Sequence, residues 1–275
     1  MGLMRQVVVA FVLLGAFGIQ QASARFLVPH RAVYDLTLER ASERSGITSI
    51  VGRMVYEFEG TACEGYTTNF RYVTRINTAD DSRLSDVQTS TFEDGAGKTF
   101  SFVTKSFIDQ NLDTEVKGTA THGADGISVK LVKPDKADLN LRQAWFPTQH
   151  LVELLGKAER GENFYETNLF DGSDKADRAM TTSVVVGKRK EVTADDPEYS
   201  ALGELKHDSY WPVTIAYFDT SGDKASGMLP VYSIALKLHE NGVTRDLLMD
   251  YGDYALKGKL VNLSLFDPHR GQCSQ

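Results

Sequence analysis

The sequence predicts an all-β, mainly antiparallel fold: a barrel-like curved sheet with one central α-helix. Three observations predict it. Period-two alternation recurs almost throughout, turn dipeptides separate the alternating runs, and only one stretch carries a helical period. So many antiparallel strands must close or wrap to hide their edges. A helix that is apolar on one side must bury that side, and the concave face of a curved sheet is the simplest place for it.

In order along the chain, residues 32–38 place Ala32, Tyr34, Leu36 and Leu38 on one face, with Asp35 and Thr37 opposite. Residues 50–58 do the same with Ile50, Met54, Tyr56 and Phe58, and residues 66–76 with Tyr66, Phe70, Tyr72 and Ile76. Further strands are expected near 84–92, 99–107, 112–121 and 126–133. They resume near 162–170, 180–190, 210–219, 229–240, 243–252 and 255–266. Turn chemistry falls between them at Asp94-Gly95-Ala96-Gly97, Asp125-Gly126 and Ser221-Gly222-Asp223. Asn241-Gly242, flanked by apolar runs, suits a type I′ hairpin. The helix spans about 147–160: Leu151, Val152, Leu154, Leu155 and Ala158 follow a 3.6 period, Pro147 suits the first helical position and Gly161 suits C′. Leu151 and Leu155, four apart, are expected on its buried side. Residues 189–200 read as a surface loop. No internal repeat or Pro/Ser-rich linker marks a boundary, so residues 25–275 are expected to form one domain.

The first 24 residues read as an address. One positive charge in Met1–Arg5, an apolar run from Val7 to Ile19 and the small-residue box Ala22-Ser23-Ala24 form a secretory signal peptide, with cleavage expected after Ala24. The apolar run covers about 20 Å of helix, short of a ~30 Å hydrocarbon core. No Cys follows the cleavage box, which excludes lipoprotein processing there. The mature protein is expected to be exported, soluble and not membrane-spanning. An oxidising compartment favours pairing the two cysteines, Cys63 and Cys273; two free thiols are the alternative.

Composition narrows function further. The chain has 275 residues, 41% hydrophobic and 24% charged, with a net charge of −7. That is a globular composition without the basic footprint of a nucleic-acid binder. Lys188-Arg189-Lys190, the one basic triplet, adjoins Glu191 and Asp195-Asp196 and reads as a solvated loop.

Motifs for chemistry fail one by one. Gly95-Ala96-Gly97-Lys98-Thr99 resembles the end of a phosphate-binding loop, but position 92 is Phe where that motif needs Gly, and the segment lies between strands with no helix N-terminus expected beside it. His239-Glu240 lacks the second His of a zinc protease, because position 243 is Val. The histidines at 30, 122, 150, 207, 239 and 269 lack metal-ligand spacing and read as surface or helix-end residues. No G-x-S-x-G elbow occurs. Asp171-Gly172-Ser173-Asp174 reads as an Asx turn and not a calcium loop. Asn262-Leu263-Ser264 is a glycosylation sequon too common to carry weight. No catalytic, cofactor-binding or metal-binding residue is expected.

Several segments taken together resemble one family, the EipB-type cell-envelope integrity proteins, small exported proteins of Gram-negative alphaproteobacteria. They are Pro29-His30-Arg31-Ala32-Val33-Tyr34, Ala62-Cys63-Glu64-Gly65-Tyr66, Thr91-Phe92-Glu93-Asp94-Gly95 and Phe146-Pro147-Thr148-Gln149-His150. Phe170-Asp171-Gly172-Ser173-Asp174, Glu240-Asn241-Gly242-Val243 and Asp250-Tyr251-Gly252-Asp253 follow, with Cys273 at the terminal cysteine position. The resemblance spans nearly the whole mature chain. It implies a periplasmic β-spiral, an open barrel-like sheet with a helix inside. It also implies a Cys63–Cys273 bridge, no enzyme activity, no cofactor and a role in keeping the envelope intact under stress. The partner classes it leaves are a periplasmic protein or an envelope lipid, with acyl-chain carriage as the alternative function. A monomer is expected.

Overall fold

A computed structural model describes residues 27–220 and 229–266. The signal-peptide stretch, the Ser221-Gly222-Asp223 turn, His269 and Cys273 lie outside the described residues.

Eight strands precede the helix. They are β1 (His30–Ala41), β2 (Ile47–Thr61), β3 (Gly65–Thr78), β4 (Ser82–Glu93), β5 (Thr99–Ile108), β6 (Asn111–His122), β7 (Ile127–Lys133) and β8 (Ala137–Leu141). The helix α1 (Pro147–Glu159) is followed by β9 (Phe164–Leu169), β10 (Met180–Val186), the two-residue β11 (Lys190–Glu191) and β12 (Ser209–Phe218). The last strands are β13 (Tyr232–His239), β14 (Thr244–Asp250) and β15 (Tyr254–Leu265). All belong to one antiparallel sheet of 15 strands, in the order β8-β7-β6-β5-β4-β3-β2-β1-β15-β14-β13-β12-β10-β9 with β11 beside β12. The sheet is barrel-like but open. Its first and last strands pair in the middle, and its edges are β8 and β9, the two strands that flank the helix in sequence.

Those edges approach each other without pairing. A single parallel bridge joins Trp145 to Leu169, and the Asn168 side-chain amide donates to Gln143 O. The short β8 alternates, with Ala137, Leu139 and Leu141 against Asp138 and Asn140, but its five residues are too few to mark a strand on their own. Of the expected strand 180–190, Lys188 and Arg189 leave the ladder after Gly187 N donates to Pro212 O, and Lys190 rejoins β12 opposite Tyr210.

Hairpin chemistry differs from expectation at two places. At Asn241-Gly242 only Gly242 has positive φ, 87°. Gly242 N donates to His239 O, and His239 N to Val243 O. The loop is therefore a three-residue type I turn closed by a left-handed glycine, not the expected type I′. The type I′ conformation occurs instead at Asp109-Gln110, whose φ values are 48° and 70°, between the paired Ile108 and Asn111. That pair lacks the glycine that usually marks such a turn. The Asx turn at Asp171 is present, with Ser173 N donating to Asp171 Oδ1.

Helix α1 lies on the concave side. Leu154, Leu155 and Ala158 join a buried cluster with Phe58, Tyr66, Val184, Trp211, Val213 and Leu238. Its C-terminus is a Schellman motif: Glu162 N donates to Lys157 O and Gly161 N to Ala158 O, with Gly161 at φ 75°. Leu151 is only partly buried and Leu154 takes its expected place. Leu154→Ala and Leu155→Ala should each cost about 2–5 kcal/mol, with Leu151→Ala clearly below both. Urea midpoints measure this; equal midpoints for all three would show that the helix does not seal the core.

Candidate functional site

The sheet curls around a second cleft, lined from one side by β1–β4 and from the other by β13 and β14. Register places the lining. Tyr34, Met54, Tyr72 and Val87 face each other along one row of four strands, and Tyr56 faces Phe70 in the next. Ile234 and Met249 pair opposite them. The cleft holds about 340 Å³, near the lower end of small-ligand sites. Tyr251, 37% exposed, sits at its rim.

The Tyr34 hydroxyl donates to Thr244 O at 2.6 Å. Ring centroids of Tyr217 and Tyr232 lie 5.3 Å apart, those of Tyr232 and Tyr251 4.9 Å, and those of Tyr251 and Tyr254 4.9 Å. Burial pushes the phenols of Tyr34, Tyr72 and Tyr232 well up, and that of Tyr251 to about 12. At neutral pH all four stay protonated, so they present π faces and neutral hydroxyls.

The glycine turn after β4 sits at the N-terminus of α1, so the expectation that no helix end lies nearby is corrected. An Ala at position 97 would put its Cβ 1.7 Å from the Gln149 side chain, and one at 95 would lie 1.8 Å from Ala62 O. The helix end is nevertheless closed to phosphate. Glu93, 3% exposed, accepts from Thr148 N at 2.8 Å and Gln149 N at 2.9 Å. A strand carboxylate thus caps a helix whose own N-cap residue, Phe146, has no polar side chain.

A further cluster lies beside the expected surface loop 189–200, most of which is exposed, with Glu198 as its buried exception. Pro197 is followed by the buried Glu198, and two short 3-10 turns, Tyr199–Ala201 and Gly203–His207, bury Leu202 and Leu205 among Tyr34, Leu36, Ile50 and Leu256. Glu198 Oε1 accepts from Asp246 N at 3.1 Å and Leu260 N at 2.6 Å. The β14–β15 ladder ends at Leu247–Gly258, so the carboxylate fills the gap where those strands part. Fully buried Arg245 pairs with Asp196 at 2.9 Å and Glu198 at 3.1 Å, and donates to His239 Nε2 at 2.9 Å. Lys237 completes the group through Asp196 at 2.9 Å and Asp246 at 3.0 Å.

The histidines divide accordingly. His30 and His239 are buried on strands, contrary to the expected surface or helix-end positions, while His150 sits in the first turn of α1, as expected of a helix-end residue, but is buried there. No group of metal-ligating side chains gathers among the described residues. Burial pulls His150 and His239 down to about 4. The unfolded rings bind a proton near 6.5 and the folded ones do not, so their contribution is complete above pH 6.5 and is lost as pH falls toward 4. Each is worth about 3 kcal/mol over the full window. Burial raises Glu93 and Glu198, which offsets part of the loss: their share is present below the unfolded value near 4.5 and fades as pH rises through the raised one. The denaturation midpoint should fall between pH 7 and 5, and His150→Phe should flatten that slope. A slope unchanged by the substitution would locate the proton uptake elsewhere.

Of the two cysteines expected to pair, Cys63 lies in the β2–β3 turn, where its N–H faces Thr61 Oγ1 at 3.4 Å. Neither the tyrosine cleft nor the Arg245 group is marked by a local motif; each assembles from strands distant in sequence.

Comparison with known proteins gives this architecture a family. The EipB-like family model matches residues 21–267. This chain belongs to the EipB-like family. It is 53% identical over 257 residues to the cell envelope integrity protein EipB of Brucella abortus, covering 92% of this chain and 90% of that one. A crystal structure described as a beta-barrel-like protein of domain of unknown function DUF1849, also from Brucella abortus, superimposes with a TM-score of 0.84 at 53% identity. The match covers 88% of this chain and 99% of that one. The open EipB-like sheet with its internal helix is thus a fold shared with a solved relative. No helix among the described residues is long and apolar enough to cross a membrane.

Proposed function

We propose that this EipB-like chain acts in the periplasm, without catalysis and as a single domain from residue 25 onward, to maintain the cell envelope by binding an envelope component in its concave tyrosine cleft. The relative's role, cell envelope integrity, supports the setting. The observation that carries the binding reading is the cleft: about 340 Å³, lined mainly by aromatic and aliphatic side chains and with Tyr251 at its rim. A deletion strain should become sensitive to detergents and cell-wall antibiotics. The wild-type gene should restore resistance, and Val87→Trp, which fills the cleft from β4, should not. Full rescue by Val87→Trp at equal protein level would remove the cleft from the function. N-terminal sequencing of the periplasmic fraction should give Arg25 as the first residue; an intact Met1 in the membrane fraction would overturn export.

Acyl-chain binding is the second reading, favoured by the low polarity of the same lining. Organic extraction of purified protein followed by mass spectrometry should then yield stoichiometric acyl chains. The Cys63–Cys273 bridge belongs to the proposal as well. β15 ends with Leu265 beside His30, which in turn faces Phe58 near the end of β2. The tail therefore leaves the sheet at the end where Cys63 turns.

A further inference from the structure

Resting on the cleft as a binding site, we infer that it selects a cationic amphiphile whose head is a quaternary ammonium, held against tyrosine faces. Tyr34, Tyr56, Phe70, Tyr72, Tyr232 and Tyr251 supply six rings, and Met54 and Met249 add polarisable thioethers. No Lys, Arg or His lines the cleft among the described residues. An anionic head would thus meet the negative faces of the rings with no counter-charge.

The surroundings add to this sign. Glu93 raises Tyr56 and Tyr66, Glu198 raises Tyr34, and Asp171 raises Tyr217 and Tyr232 by their charge. Arg245 compensates Glu198. No cationic side chain pairs with Glu93 or Asp171 among the described residues; Glu93 has the helix end and Asp171 the Ser173 N–H. The site is a π-lined hollow whose Tyr34, Tyr56 and Tyr232 feel the charge of carboxylates.

Hydrogen bonding separates the kinds of cation. A primary ammonium is strongly hydrated and needs acceptors to replace its water. Here the lining holds no carboxylate among the described residues to replace that water. A quaternary head needs no acceptor and is attracted by ring faces, most strongly where water is excluded. Its alkyl chain would run along Ile234, Leu247 and Val87.

Calorimetric titration with three twelve-carbon amphiphiles below their micelle concentrations tests this: dodecyltrimethylammonium, dodecanoate and dodecyl maltoside. The cation should bind about ten-fold tighter than either other head. Tyr232→Phe, which keeps the ring, should retain that preference, and Tyr232→Leu should lose it while still binding the maltoside. Equal affinity for the three heads would overturn the cationic selection and leave an apolar-chain site. No binding by any of them would overturn the cleft reading itself. Should Tyr232→Leu fail to fold, the wild-type and Tyr232→Phe titrations decide.

Discussion

Arg245→Met should lose about 3–5 kcal/mol of stability, a larger loss than any single truncation on the outer face of the sheet. The reason is what stays behind. Arg245 is fully buried between Asp196 and Glu198, and it stacks 4.9 Å from the Tyr210 ring. Without the guanidinium, Asp196 keeps Lys237 but Glu198 keeps only two backbone N–H groups. Asp196 is held down to about 2; burial opposes this, and the Glu198 N–H, Lys237 and Arg245 overcome it. Glu198 is pushed up by burial, so losing its cation drives it toward protonation. A protonated Glu198 can no longer accept at full strength in the gap between β14 and β15. Arg245→Met/Glu198→Gln should therefore recover part of the loss, because an amide oxygen can still accept from Leu260 N without a buried charge. Urea unfolding of the four proteins in the cycle measures the coupling. A single-mutant loss under about 0.5 kcal/mol would show that Leu202 and Leu205 hold the 195–208 segment by packing alone.

That network also marks the limit of what could be read in advance. β1, β2 and β3 were legible because one face of each is buried, which forces apolar residues to alternate: Ala32, Tyr34 and Leu36 are all buried. The helix was legible because its start and stop signals are local, Pro147 and Gly161. β8 and β11 are too short for a period to register. The cap on α1 comes from Glu93, 55 residues earlier, and nothing near Phe146 announces it. Asp196 and Glu198 look like solvated acids because their partner, Arg245, lies 49 and 47 positions away. Alternation puts Tyr34, Tyr56 and Tyr72 on the apolar faces of β1, β2 and β3. That they leave a cleft follows from how the sheet curls, which no single strand encodes.

Removing the proposed Cys63–Cys273 bridge should cost about 2–5 kcal/mol, and Cys63→Ser, Cys273→Ser and the double variant should lose similar amounts, since each removes the same link. The chain-entropy model sets about 5 kcal/mol as the ceiling for a loop of roughly 210 residues. The topology changes what the link restrains. Its anchor, Cys63, follows β2, which is separated from β15 by β1 alone. Two strand spacings of about 4.8 Å separate β2 from β15, and the eight residues from Leu265 to Cys273 can span roughly 26 Å when extended. A bridge between these positions would staple the middle of the sheet, where the first and last strands pair, and leave the β8 and β9 edges untouched. Its loss should unzip β15 from β1 first. The β1–β15 register is already irregular at Val33/Tyr34 and Leu38/Arg40, and Phe266 N reaches Pro29 O as the final rung. Hydrogen exchange should accelerate at Arg31, Val33 and Ser264 in the serine variants before it changes in β8 or β9. Alkylation of native periplasmic protein without reductant gives the direct answer. Two labelled thiols would refute the link, and equal acceleration at the β8 edge would refute this account of what it holds.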